Sequence, residues 1–126
     1  MRKKSKVHCY YWVCKNLYPP KSGRKLSEVM LLLEKNIVSA IMRHLKTVPY
    51  CFAWKTHGGM YGVAGVPDIV CCIGGRFVAF EVKTPSGRLT KLQEITLGKI
   101  NDAKGVAHKV TSVVEVQEII KTMEVG

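Results

Sequence analysis

The sequence predicts a mixed α/β domain with the element order α-β-β-β-α-β-α, a sheet flanked by helices. Three observations predict it. Apolar residues recur at three- and four-residue spacing over 27–46, the period of an amphipathic helix. Two β-branched and aromatic runs, 68–73 and 76–83, flank Gly74-Gly75. That pair is a hairpin signal, because primed turns need positive φ angles that glycine adopts freely. Two later helical patterns, after Thr90 and after Ser112, open on capping signatures.

In chain order, Ser27 is the expected N-cap of the first helix, with Met30, Leu31, Ile37, Val38, Ile41 and Leu45 as its buried stripe. Residues 50–55 read as a strand, and 56–65 as a loop carrying Gly58, Gly59, Gly62 and Gly65. In the hairpin that follows, Cys71 and Cys72 are adjacent and must point to opposite faces. The second helix runs from Thr90 to about Ala103, with Gly105 as its left-handed cap. Residues 106–110 form a short strand, and Ser112 with Glu115 opens a last helix to about Met123. No repeat or low-complexity segment interrupts this order.

At 126 residues the chain is long enough for one core. No apolar run approaches the roughly 18 to 20 residues that span a bilayer, so no membrane partner is expected. The basic start MRKKSK is not followed by an apolar run and a small-residue cleavage site, so a secretory leader is not expected either. Five cysteines without framework spacing point to a reduced, cytoplasmic setting. The formal charge is +11, yet residues 1–27 hold eight Lys and Arg and no acid. This divides the chain into a basic arm, 1–25, and a nearly balanced domain, 26–126. The arm suits a polyanion such as nucleic acid, or simply solubilises the chain. Its Tyr10, Tyr11, Trp12 and Tyr18 can stack on bases or pack on protein. His8, Cys9 and Cys14 are one ligand short of the four that a structural zinc normally takes.

The hairpin poses the chemical question. A two-residue turn at 74–75 pairs residues whose numbers sum to 149, which sets Asp68 opposite Glu81. Opposed residues lie roughly 5 Å apart, where like charges repel. Lys83 follows on the same face, about 7 Å along. A divalent cation, Mg²⁺ or Mn²⁺, would explain two convergent carboxylates; a structural Asp–Lys–Glu cluster is the alternative. Glu34 interrupts the apolar stripe of the first helix, either facing the same site or lying at the stripe's edge. Gln93 can close a capping box with Thr90, face the charged cluster, or do both.

Asp68 after Pro67, then Glu81-Val82-Lys83, with the helical Glu34 before them, resembles the signature of the PD-(D/E)xK nuclease superfamily. The fuller string Gly65-Val66-Pro67-Asp68, the run from Gly75 to Lys83 and Leu89-Thr90-Lys91-Leu92-Gln93 resembles the VRR-Nuc family, particularly its small stand-alone phage and bacterial members. The resemblance covers about 28–116 and implies a restriction-endonuclease-like core that cleaves phosphodiesters with Mg²⁺ or Mn²⁺. It implies Asp68, Glu81 and the Val82 carbonyl as metal ligands, and Glu34 for a second metal or a metal-bound water. It also implies Lys83 to orient or deprotonate water, and Gln93 as the family's active-site glutamine. Stand-alone members are similar in being homodimers that act on branched DNA, notably four-way junctions. Lys55, His57 and Arg88 are candidate phosphate contacts. The alternative function is a catalytically silent DNA-binding module that keeps the nuclease fold.

Overall fold

The computed structural model describes residues 25–56 and 64–124. The arm, with His8, Cys9 and Cys14, and the loop residues His57, Gly58, Gly59 and Gly62 lie outside the described residues.

The elements are α1 (Leu26–Leu45), β1 (Cys51–Lys55), β2 (Ile69–Ile73), β3 (Arg76–Val82), α2 (Lys91–Asp102), β4 (Val106–Val110) and α3 (Val113–Glu124). They build one four-stranded mixed sheet in the order β1-β2-β3-β4. The first two pairings are antiparallel, and β3 with β4 is parallel. A parallel neighbour cannot be reached by a tight turn, and α2 is the crossover that connects the two.

The hairpin register is the expected one: Ile69 faces Phe80, Cys71 faces Val78 and Ile73 faces Arg76. Gly74 and Gly75 turn with φ of 57° and 81°, both in the left-handed region. Strand alternation then separates two cores. Ile69, Cys71, Val78, Phe80, Val82 and Val110 face Ile41 and Leu45 of α1 and Val116 and Ile120 of α3. On the opposite face Val70, Ala79 and Ala107 pack against Leu97 of α2. Cys71 is buried and Cys72 exposed, as adjacent strand residues require.

Several local expectations are corrected. The N-cap of α1 is Lys25, which makes no side-chain cap bond, so Ser27 falls inside the first turn. The chain is still extended at Lys25, and its carbonyl accepts the first helical bonds from Glu28 and Val29. Leu31 is 54% exposed. Val29 is buried in the first turn of α1, but the α1 side chains that join the main core cluster, from Ile37 to Leu45, come from the second half of the helix. Tyr50 has φ 54° and precedes β1 rather than opening it.

The left-handed residue after α2 is Lys104 (φ 72°), not Gly105. The Gly105 amide donates to the Ile100 carbonyl and the Lys104 amide to that of Asn101, a Schellman motif with lysine at the αL position. Glycine is needed at 105 for another reason, since a Cβ there would lie 2.8 Å from the Ile100 side chain. At α3, the Ser112 hydroxyl accepts from the Glu115 amide. The Glu115 carboxylate, however, accepts from the amide and hydroxyl of Thr111, one residue earlier than in a capping box.

Candidate active site

Asp68 and Lys83 lie just outside the strand ends that the sequence pattern assigned to them. Asp68 immediately precedes β2 and Lys83 immediately follows β3. The hairpin register, extended one pair beyond Ile69–Phe80, sets Asp68 opposite Glu81 on the sheet face covered by α2. The segment leading to Asp68 is held on two sides. The Thr56 amide donates to the Asp68 carbonyl at 2.9 Å, and the Thr56 hydroxyl donates to the carbonyl of buried Pro67. On the other side Gly65, at φ +81°, packs so tightly on α2 that a Cβ would lie 2.9 Å from Leu92 Cγ and Thr96 Oγ1. The Asp68 side chain is fixed in turn, because its Oδ2 accepts from the Val82 amide at 2.8 Å.

Glu81 is the buried charge of the site, 3% exposed. Its Oε1 accepts from Gln93 Nε2 at 2.7 Å and lies 3.8 Å from Lys83 Nζ. Oε2 is buried and has no hydrogen-bond partner among the described residues. Burial pushes the carboxyl up to about 8, and the neighbouring charge of Asp68 adds to the rise while Lys83 opposes it.

Gln93 fills both expected roles at once. Its Oε1 accepts from the Thr90 amide and its own amide donates to the Thr90 hydroxyl, which completes the capping box. Its side-chain NH₂ is the group on Glu81. The cap therefore fixes the orientation of the amide that the carboxylate meets.

Glu34 is half-buried on α1. Among the described residues no three His, Cys, Asp or Glu side chains converge as a metal cluster. Glu34 is thus not gathered with Asp68 and Glu81 into one ligand set, although its charge adds a small further upward push on Glu81. Lys55 is exposed at the end of β1, next to the threonine that holds Asp68. Arg88 is exposed beyond the turn that follows Lys83. His57 lies outside the described residues.

Two oxygen-bearing side chains in opposition, one with an unpartnered buried oxygen, fit a divalent cation. A carboxylate so placed is otherwise costly, since nothing among the described residues satisfies Oε2 and like charges would face each other.

Sequence reasoning missed Lys109. It sits in register with Glu81 on β4, and its Nζ donates to the Gly87 carbonyl at 2.7 Å. It thereby pins the tight turn after Lys83, in which the Gly87 amide donates to the Thr84 carbonyl. Only the parallel β3–β4 pairing creates this neighbour, so no local pattern could have pointed to it.

The architecture, a mixed sheet between helices with Asp68, Glu81 and Lys83 at the end of its central hairpin, is that of the restriction-endonuclease-like α/β class. Among solved structures the chain is similar to one described as a VRR_NUC domain. The TM-score is 0.61 at 16% identity, over 71% of this chain and 95% of that one. No family model and no curated protein matches the sequence. At that identity the likeness establishes the fold, and it is the fold that the sequence motifs implied.

Proposed function

We propose that this chain is an Mg²⁺- or Mn²⁺-dependent endodeoxyribonuclease for structured DNA, with branched, four-way-junction-like substrates. It acts as a homodimer in the cytoplasm of a bacterial host cell. The observation that carries the reading is the buried Glu81 opposite Asp68, with an oxygen that has no partner among the described residues. The VRR_NUC fold supports the same reading.

In this proposal Asp68, Glu81 and the Val82 carbonyl hold the cation, with Glu34 contributing from α1 through water or a second ion. The bound cation supplies a Lewis acid for a phosphoryl oxygen and lowers the pKa of water. The chain's own residues do the rest. Gln93 holds Glu81 by Oε1, so that Oε2 is the oxygen left to bind. The Val82 amide fixes Asp68 in the same way through Oδ2. Lys83 brings a positive charge to the site, where it orients the attacking water and stabilises the charge that develops on the phosphate. Lys55, Arg88 and His57 hold flanking phosphates, and the basic arm 1–25 adds salt-dependent affinity to the domain 26–126. One chain supplies one such site, and symmetric incision of a four-way junction requires two.

The test compares cleavage of a labelled four-way junction and a linear duplex in Mg²⁺ or Mn²⁺ by wild type and Lys83→Ala. The expected result is metal-dependent cutting of the junction that falls by about 100-fold or more in the variant. Cutting of linear DNA alone would remove the junction from the proposal. Tight binding without cutting would leave a DNA-binding module.

A further inference from the structure

The α2-side face of the sheet is ordered in cross-strand rows. Phe52, Cys72 and Phe77 form one row, and Trp54, Val70 and Ala79 the next. One pair further along the hairpin come Asp68 and Glu81. Helix α2 packs on Val70, Ala79 and Ala107, towards the β4 side. The aromatic residues remain open among the described residues: Phe52 is 72% exposed, Trp54 45% and Phe77 48%. Single exposed apolar residues need no explanation. Three aromatic rings on one face, in rows leading to a pair of carboxylates, do.

We propose that Phe52 and Trp54, with Phe77 beside them, form a stacking surface for unpaired nucleobases, which presents the adjoining backbone to the Asp68–Glu81 site. This rests on the nucleic-acid reading above and adds a substrate feature to it, namely unstacked bases next to the cleaved bond.

Ring geometry favours bases. The Phe52 and Trp54 centroids are 5.7 Å apart with planes tilted by 43°, a tilted contact rather than a parallel stack, and both residues stay largely exposed. That separation exceeds the roughly 3.4 Å per-strand step of a duplex. Neighbouring bases seated on both rings must therefore part from each other, which a paired duplex resists and an unpaired strand allows. Trp54 is diagonal to Asp68 across the β1–β2 pair, a relation that spans about 7–8 Å. A base on Trp54 thus leaves its own phosphate within reach of the carboxylates.

Charge favours nucleic acid over a second protein surface. Strands β1, β2 and β3 contain one acid, Glu81 of the site itself. Lys99 of α2 lines a recess with Phe77, and Lys83 follows Glu81 on the same face, whereas Lys55 and Arg76, next to Trp54 and Phe77 in the chain, belong to the opposite face of the sheet. A phosphate backbone brings the charge opposite to Lys83 and Lys99 at the edges of this face, where the strands offer no acid besides the site's own Glu81.

The experiment measures binding of a fluorescent oligothymidylate and of a matched hairpin duplex by anisotropy, using the full chain in EDTA. Phe52→Leu and Trp54→Leu keep apolar area but lose the ring; Phe52→Tyr and Trp54→Phe keep it. The leucine variants are expected to bind the single strand about 5- to 100-fold more weakly, with the ring-keeping variants near wild type. The salt dependence should be unchanged, because no charge is removed. Photocrosslinking of 5-iodouracil-labelled single strand to wild type, mapped to β1, supplies a readout that does not depend on how a variant folds.

Leucine variants that bind like wild type, or crosslinks that avoid β1, would overturn the proposal. So would leucine variants that turn a dimer into a monomer with unchanged binding per chain, which would assign this face to a second copy. Junction cleavage in Mn²⁺, run in parallel, separates the two readings. Cutting without any ring dependence sinks the stacking surface alone, and ring-dependent binding without cutting sinks the nuclease alone.

Discussion

Glu81→Gln keeps the size and hydrogen-bonding capacity of the buried side chain and removes its ionisation. In the fold the Glu81 carboxyl titrates at about 8, raised from 4.5 by burial and then by the charge of Asp68. Between those values the folded chain holds a proton that the unfolded chain has lost, so stability falls as pH rises. This contribution is fully present below 4.5 and is lost as pH climbs through 8. At about 1.4 kcal/mol per pH unit, the interval sets a ceiling of about 5 kcal/mol, and relaxation around the charge should leave about 2–4. Urea unfolding in EDTA at pH 5, 6, 7 and 8 measures it directly. Wild type should lose stability relative to Glu81→Gln across the series. Mg²⁺ at pH 8 should restore wild type while leaving the variant unchanged, because a cation bound to the folded site stabilises it by mass action. Parallel pH curves for the two proteins would refute the buried-charge reasoning. Equal Mg²⁺ responses would refute Glu81 as the ligand.

Three further predictions concern the scaffold. Gly65→Ala combines a positive φ with a Cβ 2.9 Å from Leu92 Cγ, and should cost at least about 2 kcal/mol by urea unfolding. Asn101→Ala removes the side chain whose amide donates to the Ala107 carbonyl at 3.0 Å and whose oxygen accepts from the Ala107 amide at 2.9 Å. Two backbone groups of a buried strand residue lose their partner, and denaturant unfolding should record a loss of about 2–3 kcal/mol. Cys71 is buried, with its thiol pushed up to about 12, while Cys72 is exposed. Iodoacetamide should therefore modify Cys72 in the native protein and reach Cys71 only on unfolding, as peptide mapping by mass spectrometry would show.

Much of the site was legible because it hangs on a two-residue turn. Once Gly74-Gly75 is recognised, the register follows by counting, and the observed Ile69–Phe80 pair is the one that places Asp68 opposite Glu81. The Thr90–Gln93 capping box was legible for the same reason, as an interaction over three residues. What local counting could not reach were contacts made by chain returning from a distance. The Val82 amide holds the Asp68 carboxylate across 14 residues, and Lys109 holds the Gly87 carbonyl across 22. The αL cap moved to Lys104 because the last turn of α2 closed one residue earlier than its glycine suggested.

The order of the elements, the hairpin register and the two acids with their lysine follow from local pattern, because strand alternation, turn chemistry and capping act over a few residues. How buried Glu81 is, which of its oxygens has no partner among the described residues, and which aromatic rings stay uncovered depend on packing. Those properties depend on where α2 lies across the sheet, and its packing on Val70, Ala79 and Ala107 joins residues far apart in the chain.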